Sequence, residues 1–175
     1  TDILPLGIIG CEEYNWNPFK RKHIKAMLGE PISYNQELDE IFEFAFEKIS
    51  DATTYSRLEK MMILALEHII KNSKVELNSK TAFVLSTTKG NVTALKNDSE
   101  ESINSAHLDV LAKNVADFFG FQTQPIVVSN ACVSGILAVS VAKRMIQSEL
   151  YDTIFVVAGD EVSEFVLSGF NAFQA

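Results

Sequence analysis

Apolar and polar positions change period several times along the chain, and each change predicts an element. Ile3 to Gly10 is an apolar run punctuated by Pro5, Gly7 and Gly10, and predicts a first strand. Cys11 to Pro31 is polar and irregular by the same criterion. Gln36 to Ser50 puts Leu38, Ile41, Phe42, Ala45 and Ile49 on one stripe with glutamates mostly off it, which predicts an amphipathic helix. A second helix is predicted to start near Ser56, whose spacing to Glu59 makes a capping box, and to carry Leu58, Met61, Met62, Ala65, Leu66, Ile69 and Ile70, the methionine pair acting as core filler. Lys80 to Thr88 contains the unbroken apolar run Ala82-Phe83-Val84-Leu85 and predicts a buried strand ending in a polar loop, Ser86 to Asn91. Ser102 to Phe119 returns to helical period and is closed by Gly120.

Ile126 to Ser129 then predicts a short buried strand opened by Pro125, Ala131 to about Glu149 a helix, and Thr153 to Ala158 a further strand. Strands alternating with helices imply an α/β fold with mostly parallel pairing, right-handed crossovers and helices on both faces of the sheet. Chemistry in such folds collects outside the carboxyl ends of the strands. No internal repeat, low-complexity tract or linker interrupts residues 1–175, so they read as one domain.

The candidate chemistry lies where strand gives way to helix. Ala131, Gly135, Ala138 and Ala142 share one nearly bald helical face, which lets another backbone approach closely. Cys132 falls in the turn leading into that helix. The free N–H groups and positive dipole end there favour a thiolate and can receive a developing oxyanion. Against this stands the ordinary fate of a free cysteine, which is to be buried and inert. The loop Thr87 to Asn91 leaves another strand end; with its lone glycine it is either part of the same site or a simple turn.

Charge and cysteine content narrow the classes. A net charge of −8 argues against general nucleic-acid binding, which needs a basic surface. Lys20, Arg21, Lys22 and Lys25 form the one basic cluster, either a solvated face or a docking point for an acidic partner. Two cysteines, Cys11 and Cys132, make no disulfide framework, and a reducing, cytoplasmic setting is expected. No apolar run approaches the roughly 20 residues that span a bilayer. Neither cofactor nor metal is expected.

Asn130-Ala131-Cys132-Val133-Ser134-Gly135, preceded by its buried strand, resembles the nucleophile motif of β-ketoacyl synthases, whose common form is Thr-Ala-Cys followed by small residues. Tyr151 to Gly159 is similar to the family's next strand, and Gly169 to Ala175 to the segment after it. The likeness is strong from about Thr81 onward. Two departures stand out: Asn130 replaces the usual threonine, and Asp160-Glu161 follow Gly159 where a second glycine is usual.

The resemblance implies the N-terminal half of a thiolase-like fold, truncated before the C-terminal half. It implies that Cys132 accepts an acyl group from a thioester, with its backbone N–H as oxyanion donor, for decarboxylative condensation with a malonyl thioester on acyl carrier protein in fatty acid or polyketide synthesis. The two histidines and lysine of the second half-reaction belong to the family's C-terminal half. His23, His68 and His107 match none of its histidine motifs. The 175 residues are therefore expected to be a fragment or one part of a split enzyme, inactive in condensation alone. A homodimer, or a heterodimer with a related subunit, is implied, with strand Ile126–Ser129 pairing across a two-fold axis. Lys20, Arg21, Lys22 and Lys25 are expected to dock the carrier protein. Cys132 argues against the non-catalytic chain-length-factor relatives, which lack the nucleophile. A cysteine variant of the α/β-hydrolases is set aside because Asn130 and Ser134 stand where its elbow needs glycine. The other reading kept is a thiolase-fold subunit that serves assembly and buries Cys132.

Overall fold

The computed structural model describes residues 6–16, 19–28 and 55–173. The helix expected over Gln36–Ser50 lies outside them. In chain order the elements are β1 (Leu6–Trp16), β2 (Phe19–Leu28), α1 (Arg57–Ser73), β3 (Thr81–Ser86), a short 3₁₀ turn (Val92–Lys96), α2 (Glu100–Ser105), α3 (Leu108–Phe119), β4 (Ile126–Val128), α4 (Ser134–Gln147), β5 (Thr153–Ala158) and α5 (Glu164–Phe173).

The described strands form one sheet in the order β2-β1-β5-β3-β4. Its heart is parallel: β3 pairs with β5 from Thr81 opposite Thr153 to Ser86 opposite Ala158, and with β4 from Val84 opposite Ile126 to Ser86 opposite Val128. Side chains of β3 and β5 alternate between two cores, as a strand's period of two requires. Phe83, Leu85, Phe155 and Val157 pack against α1 and α3 through Leu58, Met62, Leu66, Leu111 and Val115. Ala82, Val84, Ile154 and Val156 face α4 through Ala138, Ala142 and Ile146. The expected α/β architecture with helices on both faces is therefore present.

Four expectations are corrected. The first strand continues past Gly10 to Trp16, residues 3–5 of the expected range lying outside the described residues, and the stretch Cys11–Pro31 is not irregular where it is described: β1 and β2 form an antiparallel hairpin. Its polar residues concealed it, because only Leu6–Ile8 of β1 pair with β5 and the rest of the hairpin lacks the apolar run that marks a central strand. The register slips between Ile9 and Cys11, a bulge at Gly10. β1 also meets β5 antiparallel, so the sheet is mixed around its parallel heart.

The helix expected from Ser102 to Phe119 is two helices, and side-chain hydrogen bonds explain the break. Ser99 caps α2 by accepting from the Ser102 N–H at 3.2 Å, and the Asn91 side-chain amide donates to the Ser105 carbonyl at 3.1 Å. Such bonds compete with continued helix, and His107 adopts an extended conformation before α3 begins. Gly120 closes α3 at φ 76, as expected. The remaining difference is in α4, which starts at Ser134 and not at Ala131.

The capping box at Ser56 is present. Glu59 N–H donates to Ser56 Oγ at 3.2 Å, and Ser56 N–H donates to Glu59 Oε2 at 2.6 Å. Glu59 is buried, and its other oxygen accepts from Asn114 at 2.8 Å, so both carboxylate oxygens are partnered. Ser56 Oγ also donates to Asn91 Oδ1 at 2.7 Å, tying the start of α1 to the loop after β3.

Candidate active site

Adjacent parallel strands carry their following loops to the same sheet edge, so the ends of β3, β4 and β5 converge. Gly159 N–H donates to the Ser86 carbonyl at 3.0 Å, one rung past the end of β5. Beyond that rung a cavity of about 440 Å³ opens, within the range of small-molecule sites. Ser86 to Lys89 form one wall, Gly159 and Asp160 another, Cys132, Ser134 and Gly135 a third, and Val166 and Phe170 of α5 the apolar side. Cys132 and the loop after β3, singled out separately in the sequence, thus share one site.

The turn bearing Cys132 is built by backbone strain and one serine. Ala131 adopts φ 44, a left-handed conformation unusual for a residue with a Cβ. Ser134, buried beneath the turn, donates from Oγ to the Ala131 carbonyl at 2.6 Å and accepts from the Asn130 N–H at 2.7 Å. This clip holds the strained turn closed. Val133 N–H and Ser134 N–H return to the carbonyls of Asn130 and Ala131, each at 3.2 Å, before helical bonding takes over. Gly135 is tolerant: a Cβ there would lie 3.5 Å from that of Ala158, an ordinary contact. Cys132 itself is a free and exposed thiol just ahead of α4, so burial does not silence it.

The loop after β3 is more than a simple turn. Thr87 and Asn91 are almost wholly buried, and Thr87 Oγ1 accepts from the Gly90 N–H at 3.1 Å. Gly90 sits at φ 57 with Leu108 pressed beneath it, where an added Cβ would approach Leu108 Cδ2 to 2.4 Å.

Asp160 was visible in the sequence only as a departure from the expected glycine. Its carboxylate accepts from Thr87 Oγ1 at 2.7 Å, Thr88 N–H at 2.8 Å, Lys89 N–H at 3.0 Å and the Thr88 hydroxyl. Partial burial opposes its charge. The hydrogen bonds from the Thr88 and Thr87 hydroxyls and the Lys89 and Thr88 N–H groups together outweigh that burial and hold the carboxyl below its usual value. Ser86 Oγ, buried at the cavity, has no hydrogen-bond partner among the described residues.

Other residues singled out in the sequence lie elsewhere. Lys20, Arg21, Lys22 and Lys25 belong to β2, opposite Asn15, Tyr14, Glu13 and Ile9 of β1. The sheet order puts β2 and β4 at opposite edges. His68 and His107 are exposed, outside the cavity. Among the described residues no helix is long and apolar enough to cross a membrane.

An exposed thiol on a clipped turn, entering a helix at the carboxyl ends of the parallel strands, defines an α/β protein with a candidate cysteine-nucleophile site. The family model described as Beta-ketoacyl synthase, N-terminal domain matches residues 7–174, and the chain belongs to that family, whose fold is thiolase-like and whose complete members are typically acyltransferase-type condensing enzymes acting on acyl thioesters. No curated protein matches the chain.

Proposed function

We propose that the chain carries the acyl-accepting half of a β-ketoacyl synthase site, with Cys132 as the nucleophile. The observation that carries this reading is the exposed Cys132 thiol on its Ser134-clipped turn, opening on a cavity shared with Thr87–Lys89. The thiolate attacks the carbonyl carbon of an acyl thioester. The C–S bond to the donor sulfur breaks, the carrier leaves as a thiolate that takes up the proton Cys132 gave up, and the acyl group remains as a thioester on Cys132 Sγ. The oxyanion of the tetrahedral intermediate is received by the Cys132 backbone N–H. Decarboxylative condensation with a malonyl thioester, in fatty acid or polyketide synthesis and in the cytoplasm, completes the proposal. The test is incubation of the protein with acyl-carrier-protein thioester, followed by peptide mass analysis. An acyl adduct on Cys132 is expected, and an unmodified Cys132 under conditions that acylate a known synthase would refute the reading.

Two partner surfaces belong to the proposal. Lys20, Arg21, Lys22 and Lys25 on β2 offer local positive charge to an acidic carrier protein despite the net charge of −8. Reversing Lys20 and Lys22 to glutamate is expected to slow acylation by carrier-bound thioester several-fold at low salt and to weaken its salt dependence. The same rate and salt response in the variant would dismiss the docking role.

The second surface is β4, which ends the described sheet with Ile126 and Val127 half-buried. Two-fold pairing of this edge with a second copy, or with a related subunit, would satisfy its backbone groups. Exposed Ile136, Phe165, Phe170 and Phe173 support contact with further protein. A solution mass of one chain at micromolar concentration would exclude a stable homodimer.

A further inference from the structure

We propose that Asp160 is a positioning residue, strapping the Thr87–Lys89 turn to the end of β5 and so fixing the cavity wall against which the acyl thioester lies beside Cys132. The inference rests on the function proposed for Cys132 and assigns a role to a carboxylate that the proposed acyl transfer does not itself use. β3 and β5 are neighbours in register to their last residues, Ser86 opposite Ala158, but strand pairing stops there. Past that point, side chains must hold the two loops together. Asp160 is the first residue beyond the Gly159 rung, and it gathers four donors from three consecutive residues of the facing turn.

The arrangement suits a strap better than an acid or a base. Oδ1 accepts from three donors and Oδ2 from a fourth, so both oxygens are already committed. Removing the carboxylate would strip acceptors from the Thr88 and Lys89 N–H groups. It would also leave the hydroxyl of Thr87, only 1% exposed, without the group it donates to. The seam continues away from the cavity. Thr93 Oγ1 donates to Glu161 Oε2 at 3.3 Å, and Lys96 pairs with Glu164 at 2.8 Å. Those contacts keep the two segments associated, while Asp160 is the member that reaches the cavity lining. A displaced wall misplaces a bound acyl carbonyl, and small misplacements of a reacting group lower rates steeply. The turn holding Cys132 is clipped by Ser134 and does not depend on Asp160.

The experiment compares the parent protein with Asp160→Ala and Asp160→Asn in three measurements: acylation of Cys132 by acyl-carrier-protein thioester, the plateau rate of Cys132 alkylation by iodoacetamide, and amide hydrogen exchange at Thr88 and Lys89. Asp160→Ala is expected to lower the acylation rate about tenfold or more. Exchange at both amides should rise, with alkylation kept within about twofold because the thiol's own turn is intact. Asp160→Asn retains Oδ1 as an acceptor and should recover most of the acylation rate. Equal acylation in Asp160→Ala and parent overturns the strap while leaving Cys132 as nucleophile. A parallel fall in acylation and alkylation also overturns it, since that marks general loss of structure. A parent protein that is not acylated at all defeats the reading of Cys132, and the strap with it.

Discussion

Replacing Cys132 with alanine is expected to abolish acyl-enzyme formation, a loss of about 10³-fold or more. The hydroxyls of Ser134, Thr87 and Thr88 beside the thiol are already engaged. The Ser134 hydroxyl beneath the turn is buried and engaged both as donor and as acceptor. Thr87 and Thr88 donate their hydroxyls to Asp160. Because Cys132 is exposed, removal of its thiol should cost little stability, so the variant should fold and the loss can be ascribed to chemistry. Mass analysis after exposure to acyl thioester reads the result, with Cys11→Ser as the companion variant that should remain acylated. Persistent acylation of Cys132→Ala, or its disappearance only in Cys11→Ser, would place the nucleophile elsewhere.

The largest effect on stability is expected from Phe83→Ala. Phe83 is completely buried at the centre of β3, its ring stacked on Phe121 with centroids 5.2 Å apart, and Phe121 in turn meets Phe155 edge-on at 5.8 Å. Truncating a buried phenylalanine costs about 3–5 kcal/mol through lost transfer energy and the cavity left behind. The lost stacking partner is counted within that range rather than added to it. A domain of this kind has about 5–15 kcal/mol in total, so much of the reserve disappears. For this size each kcal/mol lowers the melting temperature by about 2–4 °C, giving a fall on the order of 10 °C. Urea unfolding followed by circular dichroism measures the difference. A loss below about 1 kcal/mol would mean that Phe83 does not hold β3 against α1 and α3. The same strand ends in Ser86 and the Thr87–Lys89 wall, so a partly folded variant should also lose acyl transfer.

Where local pattern and tertiary demand coincide, the sequence was sufficient. The apolar run Ala82–Leu85 had to be central because both of its faces are apolar, and it packs on α1 and α3 with one face and α4 with the other. Ser56 and Glu59 stand at capping-box spacing, and Gly120 takes the left-handed position that ends α3. Cys132 was legible as a residue between a β-branched strand and a small-residue helix, with the surrounding motif pointing to the family that its match now shows.

Other features depended on pairings and side-chain hydrogen bonds that the periodic pattern does not encode. The β1–β2 hairpin is largely polar beyond Gly10, and only pairing with β5 identifies it as part of the sheet. The break at Ala106–His107 comes from Asn91, which draws the Ser105 carbonyl out of helical register from 14 residues away. The start of α4 at Ser134 follows from the serine's own clip on Ala131, a bond that helical periodicity does not encode. Asp160 is the clearest case. Its separation from Thr88 is 72 residues in sequence, and nothing local distinguishes it from a solvated aspartate. The buried strands, the helix caps and the exceptional cysteine could all be read from the chain alone, because they are written in apolar period and short-range hydrogen bonding. Which loops face that cysteine, and which carboxylate holds them there, depended on the parallel registry of β3, β4 and β5, which brings their ends to one edge.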